Sequence, residues 1–303
     1  MSWSESHEPE CKIQDALELV IEARERKITE HFTVRRLLPI AKRRTVGPFI
    51  FFDHMGPVDL SPEDSSDVLP HPHIGLATVT YLFEGEIFHR DSVGSAVAIR
   101  PGDINWMTAG KGIVHSERVT PEEIGKRRKL HGLQLWVALP KEHEEMDPDF
   151  EHHDADSLPA TERNGVSLRI LAGSAYGFTS PVKILSPLFY VDAMIPEGRE
   201  LEITNEYAER AVYVVAGSIS HNGMDYGSGN MLVFPSDSKS CIKASQDSRV
   251  MLLGGPPVDG PRQIYWNFVS TSRERIEQAK NDWRERRFPA IPGDNVEFVP
   301  LPV

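Results

Sequence analysis

Cysteine is nearly missing from this chain of 303 residues. There are two, Cys11 and Cys241, far apart in sequence. That excludes a disulfide framework and thiolate metal sites, and it makes a reducing cytosol the expected compartment. Positive charge is also short. Lys plus Arg is 33 against 45 Asp plus Glu, a formal net charge of -12. An acidic surface repels phosphate backbones, which argues against direct nucleic-acid binding. The short basic runs Arg35-Arg36 and Lys42-Arg43-Arg44 read as solvated faces. No apolar run approaches bilayer length, Phe49-Ile50-Phe51-Phe52 being among the longest, so no membrane span is expected. The opening MSWSESHEPE carries no apolar segment, so no secretory signal is expected.

What is present is an ordinary globular composition, 40% hydrophobic and 26% charged, in a chain long enough for two domains. Short runs of β-branched and aromatic residues alternate with Gly, Pro, Asn and Asp turns. They predict strands over 32–38, 77–83, 95–99, 132–139, 167–171, 188–195, 211–215, 230–234 and 250–254. Residues 17–23 fit a strand or a helix. So many short strands imply an all-β sandwich, barrel or jelly roll. One helix is predicted near the C-terminus. Thr271 and Glu274 fit a capping box, Ile276, Ala279 and Trp283 form an apolar stripe, and Phe288-Pro289 ends it. The acidic stretch 141–156 reads as the heart of a connector.

The two halves resemble diverged copies. Tyr81 and Gly85, then Gly102, recur in the same order as Tyr213 and Gly217, then Gly229, with strands between them. The expected organisation is an N-terminal domain over 1–140, a connector over 141–160, a second domain over 161–270, and a helix and tail over 271–303.

The chemistry is concentrated in two short motifs. In His71-Pro72-His73 the imidazoles stand at i and i+2, which an extended strand points to one face. Pro72 disfavours helix for the residue before it. His115-Ser116-Glu117 is a second such pair, an imidazole and a carboxylate. Three imidazoles and one carboxylate suit a divalent transition metal. An octahedral ion so held keeps two open positions, which favours Fe(II) over a closed four-coordinate zinc, with another divalent transition metal as the alternative. His152-His153 reads as solvated loop, and His54, His89 and His131 as core or supporting residues rather than ligands.

These motifs sit inside longer ones. Arg36-Leu37-Leu38-Pro39, VGPFIFFDHMGP over 46–57, HPHIG over 71–75, Glu84-Gly85, His89-Arg90-Asp91, Pro101-Gly102-Asp103, WMTAG over 106–110 and GIVHSE over 112–117 together resemble the pirins, two-domain members of the cupin superfamily. The resemblance implies two cupin-type, jelly-roll-like β-barrels packed face to face, with a metal in the first. It carries the ligand set onto His71, His73, His115 and Glu117. One departure is visible. Many pirins read His-Pro-His-Arg-Gly-Phe-Glu where this chain has Ile74, Leu76 and Ala77, a change expected to alter the pocket rim or the residues behind the ligands rather than remove a ligand. The second half is expected to hold no metal. Aligning Tyr81 with Tyr213 sets Ile203 and Asn205 opposite His71 and His73, and aligning Gly102 with Gly229 sets Ile242 and Ala244 opposite His115 and Glu117.

The resemblance implies two functions. One is a dioxygenase of the quercetin 2,3-dioxygenase type acting on a flavonol or similar small aromatic compound. There Glu117 would accept the substrate hydroxyl proton, and Trp106 and Met107 either line the pocket or pack in the core. The other is an iron-binding redox sensor or coregulator of transcription or metabolism, whose acidic protein partner would dock on the basic residues of 35–44.

Overall fold

The computed structural model describes residues 16–28, 32–236 and 238–302. Cys11 and the opening ten residues lie outside the described residues. The chain runs through β1 (Leu19–Glu22), β2 (Arg24–Lys27), β3 (Thr33–Leu38), β4 (Phe49–Leu60), β5 (Val68–His73), β6 (Leu76–Glu84), β7 (Ile87–Asp91), β8 (Ala96–Ile99), β9 (Ile104–Thr108), β10 (Ile113–Arg118) and β11 (Arg128–Ala138). It continues with β12 (Asp149–His153), β13 (Ala160–Arg163), β14 (Val166–Ala175), β15 (Phe178–Thr179), β16 (Phe189–Ile195), β17 (Glu200–Ile203), β18 (Glu209–Ala216) and β19 (Ser218–His221). After β20 (Met224–Gly227), β21 (Asn230–Phe234), β22 (Ser240–Ala244) and β23 (Ser248–Gly255) come β24 (Gln263–Tyr265), β25 (Phe268–Ser270) and helix α1 (Arg273–Arg284). Every predicted strand is present, and the ambiguous stretch 17–23 forms β1.

The duplication is real at the level of topology. One barrel joins sheets of order β12-β9-β6-β11-β4-β3-β2 and β5-β10-β7-β8. The other joins β1-β21-β18-β23-β16-β14-β13 and β17-β22-β19-β20. Each strand of the first has a counterpart at the same place in the second. The leading arms are exchanged. β1 precedes the first barrel yet pairs with β21 of the second, and β12 precedes the second yet pairs with β9 of the first. The acidic connector therefore contains a strand, held on one side by the β9 ladder. The repeated glycines serve one purpose in both copies. Gly85 (φ 84°) and Gly217 (φ 79°) turn the chain in the left-handed region, and a Cβ there would lie 2.0 Å from the Lys129 carbonyl oxygen and 2.3 Å from that of Asp247.

Strand alternation sends one face of each large sheet to a shared inter-barrel core. Val79, Tyr81, Trp106, Leu133 and Leu135 meet Tyr190, Tyr213, Val233, Met251 and Leu253 there. The opposite faces fill the barrels differently. The second interior is mostly apolar, with Ile170, Phe189, Val212, Phe234, Ile242 and Leu252 in one cluster and buried Arg210, His221 and Ser240 beside it. The first is broken into separate apolar patches around buried Thr78, Thr80, Asn105, His71, His73 and His115.

The C-terminal segment does not stay with the second barrel. Val269 donates its N–H to the Ile74 carbonyl at 3.1 Å, and Val299 donates to that of Pro70 at 2.9 Å. Ile276, Ala279 and Trp283 pack with Ile74, Val114 and Phe268. The helix cap differs from the expected box. Ser272, not Thr271, accepts the Arg275 N–H at 3.1 Å. Thr271 instead donates its N–H and hydroxyl to Glu144, which ties the helix start to the connector.

Candidate metal centre

β5 and β10 are antiparallel neighbours, with His71 directly opposite His115 and His73 opposite Ile113. The cross-strand pair and the i+2 residue therefore share one face. Ring centroids lie 4.3 Å apart for His71 and His115, 4.9 Å for His73 and His115, and 5.0 Å for His71 and His73. One ring nitrogen from each falls within 4.8 Å of the others. All three are buried, at 7%, 2% and 2% exposure for His71, His73 and His115.

Their nitrogens are disposed for coordination. His71 Nδ1 donates to the Leu69 carbonyl at 2.8 Å, which leaves the lone pair on Nε2. Both nitrogens of His73 and Nε2 of His115 have no hydrogen-bond partner. The Asn267 main chain faces His73, easing its burial without reaching hydrogen-bonding geometry. Burial disfavours the imidazolium. It lowers His71 to about 4 and holds His73 and His115 well below the usual value of 6.5. At neutral pH the site presents three neutral imidazoles. Buried polar atoms without partners are costly and uncommon, and a cluster of them facing one point fits a metal that is to be bound there.

Glu117 is not brought into this group. A register shift between His115 and Glu117 interrupts the alternation of β10. Its carboxyl lies 3.4 Å from the Thr80 hydroxyl, which donates to Gln134 at 2.9 Å. Burial raises the Glu117 carboxyl above the ordinary value. Trp136 closes one side of the site, edge-on to His73 with centroids 5.4 Å apart and stacked on Phe51 at 4.1 Å. Of the two residues expected in the pocket lining or the core, Trp106 faces the inter-barrel core and Met107 packs with Ala109, Ile113 and Phe150. Neighbours on one strand point to opposite faces, so at most one could enter the barrel.

The other expectations sort cleanly. Ala77 faces the inter-barrel core and Ile74 packs under the C-terminal helix, while Leu76 packs with Trp136 and Phe51, behind the aromatic side of the site. In the second barrel β17 pairs with β22 so that Leu201 opposes Ile242 and Ile203 opposes Ser240. The counterparts of His71 and His73 are therefore Leu201 and Ile203, two residues earlier than the sequence alignment placed them. They join Ile242 and Ala244 in the apolar core. His152 belongs to β12 and contacts Asn105 at 2.7 Å. The nearby Asp103 already accepts the Arg100 and Ala155 N–H groups. The basic run is used internally. Arg36 pairs with Asp53 and lies over Phe51, Arg43 reaches Glu18 and Glu209, and Lys42 and Arg44 stay exposed.

A family model described as Pirin matches residues 31–137, and one described as Pirin C-terminal cupin domain matches residues 190–289. The chain belongs to the pirin family. A Pirin-like protein of Caulobacter vibrioides is 51% identical over 290 residues, covering 94% of this chain and 99% of its own. A Pseudomonas aeruginosa protein with the provisional name quercetin 2,3-dioxygenase is 36% identical, covering 93% of this pirin and 90% of its own length. The crystal structure of quercetin 2,3-dioxygenase from Acinetobacter baumannii has a TM-score of 0.87 at 34% identity, with 94% of this chain and 95% of that one covered. The two barrels are thus pirin cupins. No described helix is long and apolar enough to cross a membrane.

Proposed function

We propose that this pirin is an Fe(II)-dependent dioxygenase of the quercetin 2,3-dioxygenase type, working in the cytoplasm on a flavonol or similar aromatic compound. The observation that carries the reading is the set of three buried, neutral imidazoles converging on β5 and β10 inside the first barrel, with nitrogens of His73 and His115 left unpartnered. His71, His73 and His115 would hold the ion, and Glu117, which lies outside their group here, would have to turn toward it to serve as fourth ligand and proton acceptor. When bound, the iron supplies Lewis acidity toward a substrate hydroxyl oxygen and an electron for dioxygen. The protein supplies the rest. His71 is fixed in orientation by the Leu69 carbonyl. Glu117, its proton affinity raised by burial, takes the substrate hydroxyl proton, since a base works best when its pKa approaches the working pH. The Thr80 hydroxyl, itself bonded to Gln134, lies 3.4 Å from that carboxyl. Trp136 and Phe51 give an apolar, aromatic wall suited to a flat substrate and exclude water.

The test is anaerobic loading with Fe(II), confirmed by elemental analysis, followed by flavonol and dioxygen. One dioxygen and one flavonol should give one depside and one carbon monoxide. Absence of turnover by a correctly loaded protein would sink the enzymatic reading. It would favour the second, an iron-dependent redox sensor acting through a protein partner. One observation favours that alternative: no imidazole of the centre is more than 7% exposed, so the ion would meet little solvent.

A further inference from the structure

We propose that Asp91 and His89 form a relay that fixes the tautomer of His115, aiming its Nε2 lone pair into the metal centre. The inference rests on the metal reading of His71, His73 and His115, and it concerns positioning residues rather than ligands.

With His89 neutral, the chain of hydrogen bonds has one consistent assignment. Asp91 is fully buried, and its Oδ1 accepts the N–H groups of Val93 at 3.0 Å and Ser95 at 2.9 Å. Burial works against its charge, but hydrogen bonds from His89 and Ser95 outweigh this and hold the carboxyl below the usual range. Asp91 is therefore an acceptor at both oxygens. Its Oδ2 lies 2.9 Å from His89 Nε2, so Nε2 carries the hydrogen and His89 Nδ1 carries the lone pair. His89 Nδ1 lies 3.4 Å from His115 Nδ1. Only a hydrogen on His115 Nδ1 makes that contact attractive, which leaves the lone pair on His115 Nε2. That is the nitrogen with no protein partner.

The relay is built to keep its direction. His89 is 3% exposed and stacks on Phe150 with centroids 4.4 Å apart and planes 12° from parallel. Phe150 comes from the exchanged arm β12, so the second half of the chain backs the first half's site. β7 pairs with β10 so that Asp91 opposes His115 and His89 opposes Glu117. One ladder thus sets both ends of the relay. Metal-ligating histidines commonly give their other N–H to an acceptor that fixes ring and tautomer. Here the acceptor is a second histidine, itself oriented by a carboxylate.

The assignment makes a prediction that simple packing does not. In Asp91→Asn the amide oxygen can still accept from Val93 and Ser95, but its NH2 now donates to His89 Nε2. His89 must then donate from Nδ1, which forces the lone pair of His115 to Nδ1 and a hydrogen onto Nε2, where the metal should be. In His89→Ala nothing imposes either tautomer. Co(II) affinity, read by chelator competition, should fall about 10–100-fold in Asp91→Asn and less in His89→Ala. The double variant should recover to the His89→Ala level although it carries both lesions. A double variant as weak as Asp91→Asn, or weaker, overturns the relay. So does an Asp91→Asn protein that binds like wild type. If Asp91→Asn does not fold, nitrogen-15 NMR of the wild-type apoprotein decides: Nδ1 protonated and Nε2 bare on His115 supports the relay, and the reverse ends it. A wild-type chain that binds no Co(II) sinks the underlying metal reading instead, while the NMR readout still tests the tautomer.

Discussion

Replacing His73 with leucine should raise the stability of the metal-free protein while abolishing metal binding. The magnitude follows from the surroundings. His73 is 2% exposed and neither ring nitrogen has a partner. A buried polar group without a hydrogen bond costs about 1–3 kcal/mol. Leucine is of similar bulk and keeps the contact with the Trp136 edge. Taking about 2 kcal/mol, and roughly 2 °C per kcal/mol as the low end for larger domains, the variant should melt about 4 °C higher in chelator. Metal reverses the order. At one hundred times its Kd an ion binding only the folded state adds about 2.7 kcal/mol to the wild type, or about 5 °C, and adds far less to the variant. The assay is thermal unfolding of both proteins with chelator and with titrated Co(II) or Fe(II). A variant several degrees less stable in chelator would show that His73 is a well-satisfied packing residue. Equal stabilisation of both proteins by metal would show that it is not a ligand. The two premises therefore fail separately.

Acid should weaken the interface between the barrels. His54, fully buried, contacts Tyr213 and His131; burial first, then the Arg35 charge, lower its pKa from 6.5 to about 2, and burial lowers His131 to about 4. Both are depressed, so the unfolded chain takes up protons first, and the stability these groups contribute is whole above pH 6.5 and lost as pH falls below it. His54 alone should account for about 2 kcal/mol of loss by pH 5, with His131 adding less because it is partly exposed; an unchanged urea midpoint between pH 7 and 5 would refute this. Asp294→Ala removes the acceptor of both Arg118 bonds and of the Ser116 hydroxyl. It should expose the C-terminal tail to limited proteolysis at a cost of about 2–3 kcal/mol, and a protease-resistant variant would contradict it. Gly217→Ala puts a Cβ at φ 79° against the Asp247 carbonyl oxygen and should cost more than about 1 kcal/mol in thermal unfolding, as Gly85→Ala should at the matching turn.

What could be read from the sequence was local. His71, His73 and His115 were legible because an i, i+2 pair on a strand shares a face wherever the strand goes, and Pro72 kept β5 extended. His89-Arg90-Asp91 carries the same spacing, and His89 was legible as a supporting residue; its pairing with Asp91 could have been found by the same rule. What the sequence left open or missed was non-local. Which of Trp106 and Met107 enters the barrel depends on which face of β9 meets the second barrel, a matter of tertiary packing. The two-residue slip in the second copy arose because β5 and β6 are joined by Ile74-Gly75, whereas β17 and β18 are joined by 204–208. The acidic stretch looked like a connector because Asp149–His153 lacks the β-branched residues of a strand; the free edge of β9 recruits it regardless. Thr271 lost the cap to Ser272 because Glu144, far away in sequence, captures its N–H and hydroxyl.

Duplication explains how the first barrel tolerates a polar interior. A single small barrel filled with threonines, a glutamine and unpartnered imidazoles would forfeit much of the burial that holds it together. The second barrel keeps a mostly apolar filling, and the inter-barrel core lends the first a buried face it need not build inside itself. The remaining support comes from segments outside the repeat. β12 brings Phe150 behind His89, the β24–β25 hairpin and α1 cover Ile74 beside His73, and the tail brings Asp294 to Ser116 and Arg118 on either side of Glu117. All of these bear on β5, β7 and β10, the strands that carry the site. Among the described residues the second barrel's counterpart strands receive no such bracing from a tail. The asymmetry between two otherwise matched barrels thus falls where one of them bears metal-facing side chains, as expected if the added segments hold those side chains in place.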